Sequence, residues 1–158
     1  MRPIILAIGL LGALSGPASA QGPRMEQRKI ADNVYMMEHS TGSSNATFIV
    51  TDEGVLVWDA DVRTADQVFA AIRRTTDKKV KYVAFSHPAG DHATGAWHFR
   101  EDKPLVIGTR KQLRDLYQQE GAQFAERKAS NDPQHAAYRN AELVIPDIAF
   151  EEIGRAHV

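Results

Sequence analysis

A chain of 158 residues with 43% hydrophobic content is long enough for one modest core and too short for two. Its formal net charge of −1, with Lys and Arg mixed among Asp and Glu, leaves no basic stripe to neutralise phosphates, which argues against nucleic acid as a partner. The absence of cysteine excludes disulfide staples and thiolate ligands, so a transition-metal site has to be built from histidine and carboxylate.

Arg2, the apolar run from Ile4 to Leu14 and the small residues Ala18-Ser19-Ala20 read as a cleavable export signal over residues 1–20. Cleavage is expected before Gln21, with a periplasmic or secreted destination. The run is too short to span a bilayer and is interrupted by Gly9, Gly12, Gly16 and Pro17, so no stable membrane anchor is expected after cleavage. Residues 21–29 read as a polar spacer, and residues 30–158 as a single domain.

Val34 to Met37 and Ala46 to Val50 read as strands separated by the Ser-, Thr- and Gly-rich loop His39 to Asn45. Asp52-Glu53-Gly54 turns the chain into Val55-Leu56-Val57-Trp58, a buried strand that ends at Asp59. Thr64 with Gln67 is a capping-box signature, and Ala65, Val68, Phe69 and Ile72 recur at helical spacing, which predicts a helix over Thr64–Thr75. Val80 to Phe85 predicts a further strand, stopped by Ser86-His87-Pro88-Ala89-Gly90. Leu105-Val106-Ile107 predicts a short strand. Thr109 with Gln112 opens a second capped helix with Leu113, Leu116, Tyr117 and Phe124 on its apolar face, while Ala129 to Arg139 is polar and carries no clear pattern. Strands alternating with helices predict an α/β (α+β layered) arrangement.

His87, Asp91 and His92 fall within six residues at the end of a predicted buried strand, on a loop that Pro88 stiffens and Gly90 loosens. Imidazole nitrogen and carboxylate oxygen are the donors zinc accepts when thiolate is absent. Spacing alone leaves two readings open: a metal loop, or Asp91 capping a helix that starts at Ala93 beside two ordinary loop histidines. His39 reads as either a substrate contact or a solvated loop histidine. Asp59 reads as an acceptor that orders the loop from behind rather than as a ligand. Trp58 and Trp97 read as packing residues, and His98 and His135 as surface residues.

The stretch Ser86-His87-Pro88-Ala89-Gly90-Asp91-His92-Ala93-Thr94-Gly95 resembles the H-x-H-x-D-H signature of the metallo-β-lactamase superfamily, with Ala89 where the second histidine stands. Asn33 to Asp61 resembles that family's opening strands, and Gly154-Arg155-Ala156-His157 its next histidine motif. The resemblance runs from about Ile30 onward and implies the N-terminal half of a four-layer αββα sandwich, truncated at the C-terminus. It also implies a zinc site of one or two ions. His87 and His157 would serve one position, Asp91 and His92 the other, and Ala89 offers no ligand. Since further family ligands would lie beyond the chain, each position keeps two protein ligands and zinc would be weakly held. The short stretch Pro146 to Gly154 would displace His157.

The implied function is a zinc-dependent hydrolase in which Asp91 holds metal and orients the attacking water. Its substrate would be a small-molecule ester, lactone, lactam, thioester or phosphoester. The alternative is a non-catalytic or decayed binding domain or fragment of the same fold. A half-sandwich also implies self-association through an uncovered sheet face, for which Val55, Val57, Val83 and Phe85 are the candidate residues.

Overall fold

The computed structural model describes residues 22–151; the export signal, its cleavage point and His157 lie outside the described residues. Seven strands form one mixed sheet in the order β1 (Met25–Ala31), β2 (Val34–His39), β3 (Ala46–Val50), β4 (Val55–Trp58), β5 (Val80–Ala84), β6 (Leu105–Thr109) and β7 (Ile148–Phe150). The first three pairings are antiparallel and the last three parallel. Helix α1 (Ala65–Thr75) makes the crossover from β4 to β5, and the one-turn helix α2 (Gly90–Ala93) with a 3-10 segment over Ala96–Asp102 leads to β6. Helix α3 (Arg110–Asp115) continues through a π-helical turn (Leu116–Glu120) into α4 (Gly121–Ala129), and a second 3-10 segment follows over Pro133–Tyr138.

Register decides which face is the core. Phe48 pairs with Val57, Val57 with Val83 and Val83 with Val106, and all four side chains are buried against the helices. Fully burying residues of this size stabilises the fold by about 1.5–3 kcal/mol each. Alternation puts their neighbours on the opposite face. There Trp58, Leu105 and Ile148 are 43%, 45% and 44% exposed, and no described element covers them. Val55, Val57, Val83 and Phe85, expected on the open face, are therefore on the covered one; strand composition alone does not tell the two faces apart.

The helix predicted over Thr64–Thr75 forms as Ala65–Thr75, but Thr64 makes no side-chain cap. Gln67 turns instead toward the strand before it. Its Oε1 accepts from Met25 N at 2.9 Å and its Nε2 donates to the Pro23 carbonyl at 2.8 Å, which fixes β1 at the sheet edge. The segment read as a spacer thus supplies a strand from Met25 onward. Its polar composition reflects an edge position in which only Met25 is partly buried.

The Thr109–Gln112 capping box forms as predicted, and Gln112 also donates through Nε2 to the Phe85 carbonyl at 2.9 Å, tying the second helix to the end of β5. In the polar stretch after Ala129, Asp132 accepts from Gln134 N at 2.8 Å and Pro133 comes next, so the 3-10 segment over Pro133–Tyr138 has its own start signal. Among the described residues no helix is long and apolar enough to cross a membrane.

Candidate metal centre

In a sheet with parallel strands, loops at the carboxyl ends of those strands are where ligands are held. Strands β4 and β5 are parallel neighbours, and Asp59 and the Ser86–His92 loop leave their two carboxyl ends side by side. Asp59 has a left-handed backbone with φ of 61°, a conformation Asp tolerates better than most residues. Its amide stays in the sheet by donating to the Ala84 carbonyl at 2.9 Å. The turned backbone sends the carboxylate across to the next loop, where it accepts from Ser86 N at 2.6 Å, Ser86 Oγ at 2.7 Å and His92 Nδ1 at 3.0 Å.

These bonds set both imidazoles. A carboxylate only accepts, so His92 carries its proton on Nδ1 and presents Nε2 as a free donor atom. Ser86 gives its hydroxyl proton to Asp59, so its oxygen accepts from His87 Nδ1 at 2.9 Å and leaves His87 Nε2 free as well. His92 Nε2 stands 3.4 Å from Asp91 Oδ2, and one donor atom from each of His87, Asp91 and His92 lies within 4.8 Å of the others. Two lone pairs facing each other at that distance repel unless a cation or a proton lies between them. The donor set, two imidazoles and one carboxylate, fits zinc in kind.

The loop is held from below. Ala60 N donates to the His92 carbonyl at 2.7 Å, and Gly95 N donates back to the Ala60 carbonyl at 2.8 Å. A Cβ at Gly95 would stand 2.7 Å from Ala60, so the glycine that ends the motif is required for this close approach. Thr94 Oγ1 donates to the Gly90 carbonyl and accepts from Val62 N. Gly90, expected to loosen the loop, is buried and tight: a Cβ there would meet Glu120 Oε1 at 2.6 Å and Arg127 Nη1 at 2.8 Å.

A cavity of about 480 Å³ opens beside His87 and Asp91 and is walled by Ala89, Arg63, Glu120 and His135 among others. Asp61, buried and not singled out in the sequence, holds Arg63 through Nε and Nη2. Glu120, also missed, is buried and paired with Arg127 Nη1 at 2.7 Å. Burial pushes the Glu120 carboxyl above the usual carboxylate range even though Arg127 opposes the shift, and burial likewise pushes the Tyr138 hydroxyl up. Neither Asp61 nor Glu120 belongs to a short motif. The only sequence signal for Glu120 was an acidic residue amid the apolar face of a helix.

Other histidines depart from expectation. His39 is the last residue of β2 rather than a loop residue; it is buried, its Nδ1 meets Thr41, and it is neither in the cluster nor on the cavity wall. His98 is half-buried with Nε2 3.1 Å from the Val62 carbonyl, and burial lowers its pKa. His135 lines the cavity, and its Nδ1 has no hydrogen-bond partner among the described residues. Trp97 packs as expected, with the Arg100 guanidinium 3.5 Å above its ring, whereas Trp58 lies on the open sheet face.

The family model of the metallo-beta-lactamase superfamily matches residues 39–157. Among solved structures the chain is similar to the native FEZ-1 metallo-beta-lactamase from Legionella gormanii, at 17% identity and a TM-score of 0.63, over 87% of this chain and 51% of that one. It is similar to a metallo-beta-lactamase from Pontibacter korlensis, at 14% identity and a TM-score of 0.60, over 85% of this chain and 56% of that one. The FIM-1 metallo-beta-lactamase from Pseudomonas aeruginosa in its mono-zinc form matches at 16% identity and a TM-score of 0.52, over 61% of this chain and 47% of that one. This chain thus spans about half the length of these structures. No curated protein matches it. The fold is a one-sided α/β layer that corresponds to part of their sandwich, and the chain belongs to the metallo-beta-lactamase superfamily.

Proposed function

We propose that this chain is a zinc-dependent hydrolase domain, exported to the periplasm, whose metal is held by His87, Asp91 and His92. The observation that carries the reading is the pair of free donor atoms, His92 Nε2 and Asp91 Oδ2, facing each other at 3.4 Å while Asp59 occupies the other nitrogen of the same ring. When bound, zinc supplies Lewis acidity toward a scissile carbonyl or phosphoryl group and makes water acidic enough to react near neutral pH.

The protein's own part is positioning. Asp59 keeps the His92 ring in one tautomer and orientation, Ser86 does the same for His87, and Asp91 presents a carboxylate to the cavity that can orient a water. His157 is proposed as a further donor beside His87, on the strength of the sequence resemblance. The cavity size suits a small molecule, and the ester, lactone, lactam, thioester and phosphoester classes all remain substrates for the test.

Metal analysis of the dialysed protein, zinc titration and a hydrolysis panel over those classes test the reading. One bound zinc and metal-dependent turnover of one class are expected; no zinc retained and no turnover would overturn it. A second reading, a metal-binding or ligand-binding domain without turnover, is favoured by Ala89, which puts a methyl group on the cavity wall where the family motif has a histidine. Stoichiometric zinc without turnover in the same panel would select it.

A further inference from the structure

The turn that leaves β4 sends an arginine into the cavity and fixes it there. Asp61 is buried, with 1% of its side chain exposed, whereas Arg63 is 37% exposed and lines the cavity beside His87 and Asp91. Asp61 Oδ1 accepts from Arg63 N at 2.8 Å, and the two Asp61 oxygens accept from Arg63 Nε at 3.0 and 2.8 Å and from Arg63 Nη2. A buried carboxylate that holds both the backbone and the head of the same residue leaves the guanidinium one orientation. The turn is also joined to the metal loop: Ala60 N donates to the His92 carbonyl at 2.7 Å, and Val62 N donates to Thr94 Oγ1 at 3.2 Å. Arg63 and the proposed ligands Asp91 and His92 therefore stand in one frame.

A guanidinium carries five N–H donors, and Asp61 takes the edge formed by Nε and Nη2. The terminal edge remains, made of Nη1 and the second proton of Nη2, and Arg63 makes no hydrogen bond through Nη1 among the described residues. That edge matches two oxygens of a carboxylate or phosphate. The other arginine on the wall is already engaged there: Arg127 Nη1 donates to Glu120 at 2.7 Å and its Nη2 to Gln123 at 2.8 Å. Two of the acids on the wall are likewise paired, Glu120 with Arg127 and Asp115 with Lys111 Nζ at 2.5 Å, while Asp91 faces His92 and the proposed metal. A turn that needed only closing would be served by the Asp61 carboxylate on Arg63 N; a long cation held with its fork open adds nothing to the turn.

We infer that Arg63 is the anion anchor of the cavity, so that the substrate is a small molecule bearing a carboxylate or phosphate in addition to its scissile bond. The anionic group pairs with the terminal edge of Arg63, and the scissile group extends through the cavity of about 480 Å³ to His87, Asp91 and His92. Arg63 binds and orients the substrate and takes no part in proton transfer. As a substrate assignment this rests on the proposed metal site; as an anion site Arg63 stands apart from it.

The metal-free full chain is titrated with N-acetylglycine, with inorganic phosphate and with the neutral N-acetylglycinamide, following the Arg63 Nε–H in the parent and the backbone amides of the Asp59 and His87 loops by NMR. Arg63→Lys keeps a charge beside Asp61 but has no fork, and the pair Asp61→Asn with Arg63→Gln removes both charges without leaving one buried alone. The parent should bind at least one of the anions and not the amide. Arg63→Lys should weaken that binding by about tenfold, the loss expected for one charge-assisted hydrogen bond, and decides the matter alone if the double variant does not fold. Arg127→Lys should bind as the parent does. Preference for N-acetylglycine identifies carboxylate-bearing acyl compounds as the substrate class, and preference for phosphate identifies phosphorylated ones. No binding of either anion by the parent, equal binding in Arg63→Lys, or loss on Arg127→Lys alone would overturn the assignment. If the parent retains no zinc, the proposed function fails and these metal-free titrations still decide the anchor; zinc-dependent turnover with equal KM for charged and neutral substrates sinks the anchor alone.

Discussion

His92 Nδ1 donates to Asp59 Oδ2 at 3.0 Å, and the same carboxylate takes both hydrogen-bond donors of Ser86. One side chain therefore fixes the tautomer of one imidazole directly and that of its neighbour through a hydroxyl. Asp59→Asn replaces one acceptor oxygen by an amide donor, which must either face the His92 proton or leave Ser86 unpaired. Zinc affinity should fall by about 10- to 100-fold while the fold persists. Titration with zinc, with the His92 ring nitrogens followed by NMR, checks both parts; equal affinity would remove Asp59 from the site's support.

Ala89 offers a second handle on the same site. It stands on the cavity wall at the start of the one-turn helix that carries Asp91 and His92, and its backbone is in an ordinary extended conformation with φ of −62° and ψ of 147°. Ala89→His is therefore free of backbone strain and would add a third imidazole to the His87–Asp91–His92 group. Zinc should bind about tenfold or more tightly, as expected when a catalytic site gains a protein ligand. Calorimetric titration showing equal affinity in parent and variant would mean that the ligands do not converge on one ion.

Much of this arrangement was legible in the sequence because it is local. The His87–Gly95 motif, the Thr109–Gln112 capping box and the strands around Phe48, Val57 and Val83 all announce themselves within a few residues. The features that were not legible depend on pairing across the chain. Gln67 looks like a capping residue until Pro23 and Met25 are beside it, and Gly90 looks flexible until Glu120 and Arg127 press against it. The same holds for Val57 and Val83: that they belong to apolar strands was plain, but the side of the sheet they face, expected to be the open one, is set by register with Phe48 and Val106 and is the covered one.

His98 gives the fold a signed response to acid. Burial lowers its pKa, with the Val62 carbonyl and Asp66 opposing and Arg100 reinforcing the shift. The folded state thus favours the neutral ring, while in the unfolded chain His98 takes up its proton near its ordinary value of about 6.5. In the window below that value the unfolded chain binds more protons, so stability from this residue is complete above pH ~6.5 and is lost as pH falls toward the folded pKa. Glu120, whose pKa is raised, works in the opposite direction at lower pH. Thermal midpoints recorded from about pH 7.5 to 5 should decline in the parent and decline less in His98→Gln, whose amide can still donate to Val62. Parallel curves for the two proteins would assign the pH response to other groups.

The open face of the sheet leads to the last prediction. Register aligns Leu56 with Tyr82 and Tyr82 with Leu105 in one row, and Trp58 with Ala84, Ala84 with Ile107 and Ile107 with Ile148 in the next. The first row crosses three strands and the second four, on the side away from the helices. Monomers rarely expose contiguous apolar patches beyond a few hundred Å², and nothing among the described residues covers this one. The chain should therefore self-associate with rising concentration and bind a dye that reports apolar surface. Sedimentation velocity at several concentrations measures the first, and fluorescence titration the second. Placing charges on the exposed positions, as in Trp58→Glu with Leu105→Lys, should shift the population to monomer and lower dye binding without unfolding the core, because neither side chain belongs to the buried cluster that holds Phe48, Val57, Val83 and Val106. A parent that stays a compact monomer at every concentration and binds no dye would show that this face is satisfied without a partner.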